Sequence, residues 1–221
     1  MAKGSYHVYL GSRSAEKGAA AVKDLESRGL PGSTEMIQLD VTDDKSIERA
    51  FKTIDEAHGK LDILVSNAAI GSESGNTLRE QMIRAFDTNT LGPALVGQAF
   101  APLLKNSSIG ARIINVSSGA GSIGRRLDPS GTFHTVPGLW PYRVSKAALS
   151  MVSACQKVEY EPVKVFTYCP GFTVSNLSYR NTAENGARPT ADSVKMMMEV
   201  IEGKRDDEAG TFIHGEGSYP W

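Results

Sequence analysis

Apolar and polar positions along this chain follow two rhythms, one of period two and one of period 3.6, and the rhythms alternate. SYHVYLG is a short run rich in aromatic and β-branched residues, the composition of a strand. Ser14 stands where a helix cap is wanted, helical character runs to about Ser27, and Gly29 stops it. EMIQLD predicts a second strand. Thr42 or Asp43 caps DKSIERAFKTIDEAH, whose Ile47, Ala50, Phe51, Ile54 and Ala57 recur at helical spacing before Gly59. LDILVSN is nearly continuous in apolar character, the pattern of a strand covered on both faces. A longer helical region from about Leu78 to Leu104 leads to the strand ARIINVS, and residues 119–139 read as a loop. A helix from about Tyr142 to Tyr160 precedes strand VKVFTY. A loop from Pro170 to about Pro189, a helix ADSVKMMMEVIEG and a short strand GTFIH complete the pattern. Strands and helices in alternation predict one α/β domain over residues 1–221, with a doubly wound parallel sheet in a three-layer αβα arrangement.

Composition narrows the functional field without choosing within it. The formal net charge of −1 is spread along the chain, so no basic patch argues for nucleic acid or an anionic membrane. The longest apolar candidate, LGPALVGQAFAPLL, is broken by Gly, Pro and Gln and falls short of the roughly 18 residues a membrane helix needs. Two cysteines, Cys155 and Cys169, suit free thiols in a reducing cytoplasm better than a secreted scaffold. The four histidines show no metal-ligand spacing. A soluble intracellular protein is the default expectation.

One glycine motif invites a nucleotide reading. Gly119, Gly121 and Gly124 in SSGAGSIGRR match G-x-G-x-x-G and follow a strand, but the next residues contain Pro129, Gly131 and Pro137. A dinucleotide loop must open a helix, so this match is read as a decoy. Stronger chemistry lies downstream. Tyr142 and Lys146, four apart, share one face of a predicted helix. A phenol that titrates near 10 is poorly poised at neutral pH, and a neighbouring ammonium favours its ionised form. The pair therefore predicts a phenol depressed by its neighbour. In an open α/β sheet the strand C-termini line the ligand crevice. Here those ends carry SNAAIG, INVSS and YCPG.

LDVTD, LVSNAAIG, FDTNTLG, INVSS, PYRVSK and YCPGFTVS, taken in this order across nearly the whole chain, resemble the short-chain dehydrogenase/reductase family. The likeness is to its carbonyl-reductase-like members, where the segment between Ser118 and Tyr142 is long. The resemblance implies a Rossmann-like fold and a nicotinamide cofactor. It makes Tyr142 the general acid/base, Lys146 the cation that lowers its pKa and holds the ribose, Ser118 the partner of the substrate carbonyl, and Asn89 a link in a proton relay. It further implies that Asp40 and Val41 line an adenine pocket, that Asn67, Ala68 and Gly71 pass beside the adenosine, and that Pro170, Gly171 and Thr173 flank the nicotinamide. No acidic residue stands in YLGSRS, where Ser12 and Arg13 follow the strand, so NADP is expected over NAD, with Arg13 facing the 2′-phosphate.

In that family the phosphate loop T-G-x-x-x-G-x-G joins the first strand to the first helix. AKGSYHVYLGSR matches the end of that helix and the second strand, so the resemblance implies an N-terminally truncated domain without the first β-loop-α unit. Two functions are compatible with these residues. One is an NADP-dependent reductase of a ketone or aldehyde, equally able to oxidise the alcohol. The other is a non-catalytic remnant that at most binds a partner or small molecule. Phe133, Leu139, Trp140, Phe172 and Tyr179 on the two long loops suggest an apolar substrate pocket. The resemblance leaves the oligomeric state open: family members are often homo-oligomers through the helices near Asn89 and Tyr142, whereas carbonyl-reductase-like members can be monomers.

Overall fold

The computed structural model of the protein describes residues 6–71, 75, 77–135, 138–215 and 217–221. Strand β1 (His7–Ser12) and helix α1 (Ala15–Ser27) lead into β2 (Ser33–Gln38) and α2 (Asp44–His58). The expected punctuation forms here: Ser14 caps α1 through Lys17 N, Asp43 caps α2 through Lys45 N, and Gly59 ends α2 with φ of 61°. Only a residue without Cβ takes that left-handed conformation at little cost. There follow β3 (Ile63–Ser66), α3 (Leu78–Phe86), α4 (Gly92–Lys105) and β4 (Arg112–Val116). The long helical region therefore forms as expected, but Asp87–Leu91 between α3 and α4 is a π-helical turn. Such one-turn insertions re-aim side chains and are frequent at functional sites.

The rest comprises α5 (Ile123–Leu127), α6 (Thr132–Thr135), α7 (Trp140–Glu159), β5 (Lys164–Tyr168), α8 (Thr190–Ile201), β6 (Phe212–His214) and β7 (Gly217–Ser218). Two short helices thus stand where the sequence predicts only loop. Ser122 supplies the missing signal, because its hydroxyl accepts from Arg125 N and caps α5 before Pro129 is reached. The side chain of Phe133 lies outside the described residues.

The fold is the Rossmann-like α/β class. β3, β4, β5 and β6 pair in parallel in that order, and β7 closes the edge antiparallel to β6. All five residues of β4 are buried, as befits a strand covered on both faces. β3 is only half-buried along its length, against the fully covered strand expected. The reason is topological: β1 and β2 form their own parallel pair, and no ladder joins β1 to β3 among the described residues. Side chains make the connection instead. Ile47, Ala50 and Ile54 of α2 pack with Val96, Phe100 and Leu103 of α4 and with Ile37 of β2, and Leu64 of β3 adds to this cluster. Phe51 meets Phe100 edge to face at 5.9 Å.

Because the strands run parallel, their carboxyl ends gather at one edge of the sheet. Register puts Ser66 beside Asn115, Val116 beside Tyr168, and Tyr168 beside Ile213. The residues just beyond these strand ends, Asn67 after β3, Ser117 and Ser118 after β4, and Cys169 and Pro170 after β5, therefore lie along one common crevice.

Candidate active site

Helix α7 brings Tyr142, Ser145 and Lys146 to this edge on one face, and the turn after β4 brings Ser118. The Ser118 and Tyr142 hydroxyls are hydrogen-bonded to each other. Ser118 Oγ also accepts from Ala120 N at 3.2 Å, which holds the turn closed. Lys146 is 2% exposed, its Nζ donates to Val116 O at 2.7 Å, and it lies 5.9 Å from the Tyr142 ring centroid. Asn89, on the π turn, is fully buried. Its Oδ1 accepts from Ile70 N at 2.8 Å, while Nδ2 donates to Ile70 O and to Ser145 Oγ at 2.9 and 3.0 Å. Ser145 Oγ in turn donates to Tyr142 O at 2.9 Å. The four expected catalytic residues are brought together.

Both amide hydrogens of Asn89 are engaged by protein, so its side chain clamps the β3 turn to α7. One detail differs from expectation. Tyr142 is not depressed by its neighbour: burial pushes its phenol up to about 12, with the Ser118 hydrogen bond pulling the other way. Desolvation brings the Lys146 ammonium down to about 8. Burial in low dielectric disfavours both charged forms, and here it outweighs the Coulombic help that the spacing implied.

The residues expected beside the nicotinamide form a tight turn next to the pair. Gly171 has φ of 76°, and its N–H donates to Cys169 Sγ at 3.4 Å. The Thr173 hydroxyl lies 3.2 Å from both Pro170 O and Gly171 O and 2.6 Å from Ser193 Oγ. Sequence reasoning missed Cys169. Its buried thiol accepts from Gly119 N at 3.1 Å as well as from Gly171 N, tying the Ser118 turn to the Pro170 turn. No residue pattern announces a thiol used as an acceptor.

At the adenosine end, Asp40 Oδ1 accepts from Thr42 N and Thr42 Oγ1 at 3.0 and 2.7 Å. Those bonds hold its carboxyl below the usual carboxylate range, with Arg13 adding a smaller pull. Arg13 is exposed and carries the cation expected for a 2′-phosphate. Val41 packs so closely on Gly92, next to the π turn, that a Cβ there would lie 2.8 Å from Val41 Cγ2. Gly71 is pressed against Leu177 O, and Asn67 and Ala68 are exposed at the lip of the crevice. Among the described residues no hydrogen bond joins Arg13 or Asp40 to Asn67, Ala68 or Gly71, in keeping with the separate β1–β2 pair. Ser66 Oγ, at the end of β3, is buried without a hydrogen-bond partner. Such a group costs stability until an acceptor or donor meets it.

An apolar groove of about 540 Å³ lies between α3 and α7, lined by Met82, Ile83, Phe86, Leu91, Pro141 and Val144. None of Asn89, Ser118, Tyr142 and Lys146 lines it. No helix among the described residues is long and apolar enough to cross a membrane, and no group of three or more potential metal ligands occurs among them.

The chain matches the family model for short chain dehydrogenase over residues 1–186. It is 39% identical over 220 residues to the short-chain dehydrogenase anuI of Penicillium roqueforti, covering 95% of this chain and 87% of that relative. It is 33% identical over 230 residues to the short-chain dehydrogenase/reductase tropE of Talaromyces stipitatus, covering 96% and 86%. Among solved structures, the NADPH-bound carbonyl reductase from chicken fatty liver superposes with a TM-score of 0.77 at 26% identity, over 97% of this chain and 87% of that one. The carbonyl reductase Sniffer of D. melanogaster gives a TM-score of 0.80 at 23% identity, over 97% and 88%, and supports the fold.

Proposed function

The chain belongs to the short-chain dehydrogenases, oxidoreductases that act on CH–OH and C=O groups, and from that premise we propose that it is an NADP-dependent reductase of a ketone or aldehyde. The observation that carries the reading is the hydrogen-bonded Ser118–Tyr142 pair beside the buried Lys146 ammonium, at the carboxyl edge of the parallel strands. A bound nicotinamide supplies the hydride. Lys146 and the Pro170–Gly171–Thr173 turn would hold its riboside end, Asn67, Ala68, Gly71, Asp40 and Val41 the adenosine, and Arg13 the 2′-phosphate.

The residues divide the remaining work. Ser118 donates a hydrogen bond to the carbonyl oxygen and orients it toward Tyr142. Tyr142, raised to about 12, is protonated at neutral pH and donates its proton to that oxygen as negative charge develops on it. The same burial disfavours the phenolate that oxidation of an alcohol requires, so the ligand-free site is poised for reduction. Lys146 adds positive charge where negative charge grows, and Asn89 fixes α7 through Ser145. The apolar face along Ile83, Phe86, Leu91 and Val144, each 39% to 60% exposed, is where a second copy would dock. A cytoplasmic location accords with the two free thiols.

The test is fluorescence titration with NADPH, followed by oxidation of NADPH in the presence of a panel of ketones and aldehydes. Saturable binding and carbonyl-dependent oxidation are expected. Binding without turnover on any carbonyl would favour a non-catalytic binding protein, and no binding would refute the reading.

A further inference from the structure

The glycines of GAGSIG, excluded as a phosphate loop, are explained by neighbours to which no function has been given. Gly124 N donates to Trp221 O at 2.9 Å, and Ser122 Oγ donates to Pro220 O at 2.6 Å. The Arg125 guanidinium lies 4.2 Å over the Tyr219 ring. A Cβ on Gly119 would stand 2.9 Å from Tyr219 Cε2, and one on Gly124 would stand 2.8 Å from Pro220 Cγ. Either approach closes only because no side chain is there.

Segment 217–221 is itself firmly held. Tyr219 N donates to Phe212 O at 2.7 Å, and its ring stacks on His214 at 3.9 Å and meets Phe212 edge to face at 5.5 Å. Trp221 stacks on Phe212, which is 1% exposed in β6, at 5.8 Å. On its other side the same turn presses on α7. A Cβ on Gly121 would lie 2.7 Å from Lys146 backbone, and Gly119 N bonds Cys169 Sγ. The turn that carries Ser118 is therefore gripped between the helix that carries Tyr142 and an aromatic arm anchored on the last parallel strand.

We propose that Tyr219, Pro220 and Trp221 form a positioning element for Ser118, setting the turn so that the Ser118 and Tyr142 hydroxyls meet. The catalytic meaning of this grip rests on the reductase reading, but the grip has its own signature. In protein labelled with ¹³Cζ-tyrosine, the Tyr142 resonance is assigned with Tyr142→Phe, and Ser118→Ala marks its position when the serine partner is lost. Tyr219→Leu removes the stack on Arg125 and His214, whereas Tyr219→Phe keeps it.

The Tyr142 resonance should move toward the Ser118→Ala position in Tyr219→Leu and stay in place in Tyr219→Phe. On a carbonyl that the wild type reduces, Tyr219→Leu should lower kcat at least tenfold with the NADPH Kd changed less than twofold, and Tyr219→Phe should stay within twofold throughout. If Tyr219→Leu fails to fold, Gly124→Ala serves, since its Cβ drives Pro220 away from the turn. A Tyr142 resonance unmoved in the folded disrupting variant overturns the proposal, as does a kcat loss matched by an equal loss of NADPH affinity. Wild-type protein that reduces no carbonyl sinks the reductase reading alone, and the resonance still decides the grip.

Discussion

Replacing Lys146 with methionine removes an ammonium that the fold buries at a cost, and the size of that cost should be readable from pH. Lys146 is 2% exposed, and desolvation lowers it from 10.5 to about 8. Between those values the unfolded chain holds a proton on this lysine that the folded chain has released. The native state is therefore stabilised as pH rises through that window, and below about 8 the full penalty applies. Each tenfold loss of proton affinity corresponds to about 1.4 kcal/mol, so the penalty is about 3 kcal/mol at pH 7 and about 1 kcal/mol at pH 10. Methionine fills similar space without a charge. Tyr142 and Tyr168, both pushed up to about 12, titrate in both proteins and largely cancel in the difference. Urea unfolding at pH 7, 8, 9 and 10 should show the wild type gaining about 2 kcal/mol on Lys146→Met, mostly above pH 8. A difference flat with pH would refute the burial argument. A wild type that loses ground as pH rises would mean that an anionic partner holds the ammonium.

Other consequences follow from the same geometry. Gly121→Ala places a Cβ 2.7 Å from Lys146 backbone, so it should destabilise by about 1–3 kcal/mol in thermal melts and lower kcat by shifting the Ser118 turn. Asp206 binds Arg112 Nε and Nη2 at 2.7 Å each, and Asp206→Asn should cost about 2 kcal/mol at pH 7, less than a fully buried pair because Asp206 is partly exposed. That increment is present above about pH 4 and lost as pH falls through the depressed folded value, so the two proteins should converge in acid unfolding. Arg13→Asp should weaken NADPH at least tenfold in fluorescence titration while leaving NADH within threefold.

Much of this was legible in the sequence because the signals are local. Ser14, Asp43 and Gly59 act within one turn of their own position, and the 3.6-residue spacing of Ile47, Ala50 and Ile54 reports which face of α2 is buried. Tyr142 and Lys146 share a face by spacing alone, and INVSS and YCPG mark strand ends by composition. What escaped depends on partners far along the chain. The lack of a ladder between β1 and β3 is a matter of pairing, which no periodicity reports. The raised Tyr142 phenol comes from desolvation by the surrounding fold, whereas spacing reveals only the nearby cation. Cys169 as an acceptor, Asn89 as a clamp on Ile70 and Ser145, and the grip of Tyr219 on Gly119 all join residues tens of positions apart. Gly119, Gly121 and Gly124 show the same limit: their spacing suggests a phosphate loop, and their neighbours show three separate close contacts.

The most direct test of the account is the steady-state rate of NADPH oxidation with a reducible carbonyl, compared between the wild type and Tyr142→Phe at pH 7. Removing the proton donor should lower kcat by roughly 10²–10⁴-fold with the NADPH Kd unchanged. A Tyr142→Phe protein that turns over at the wild-type rate would contradict the assignment of this hydroxyl as the proton donor.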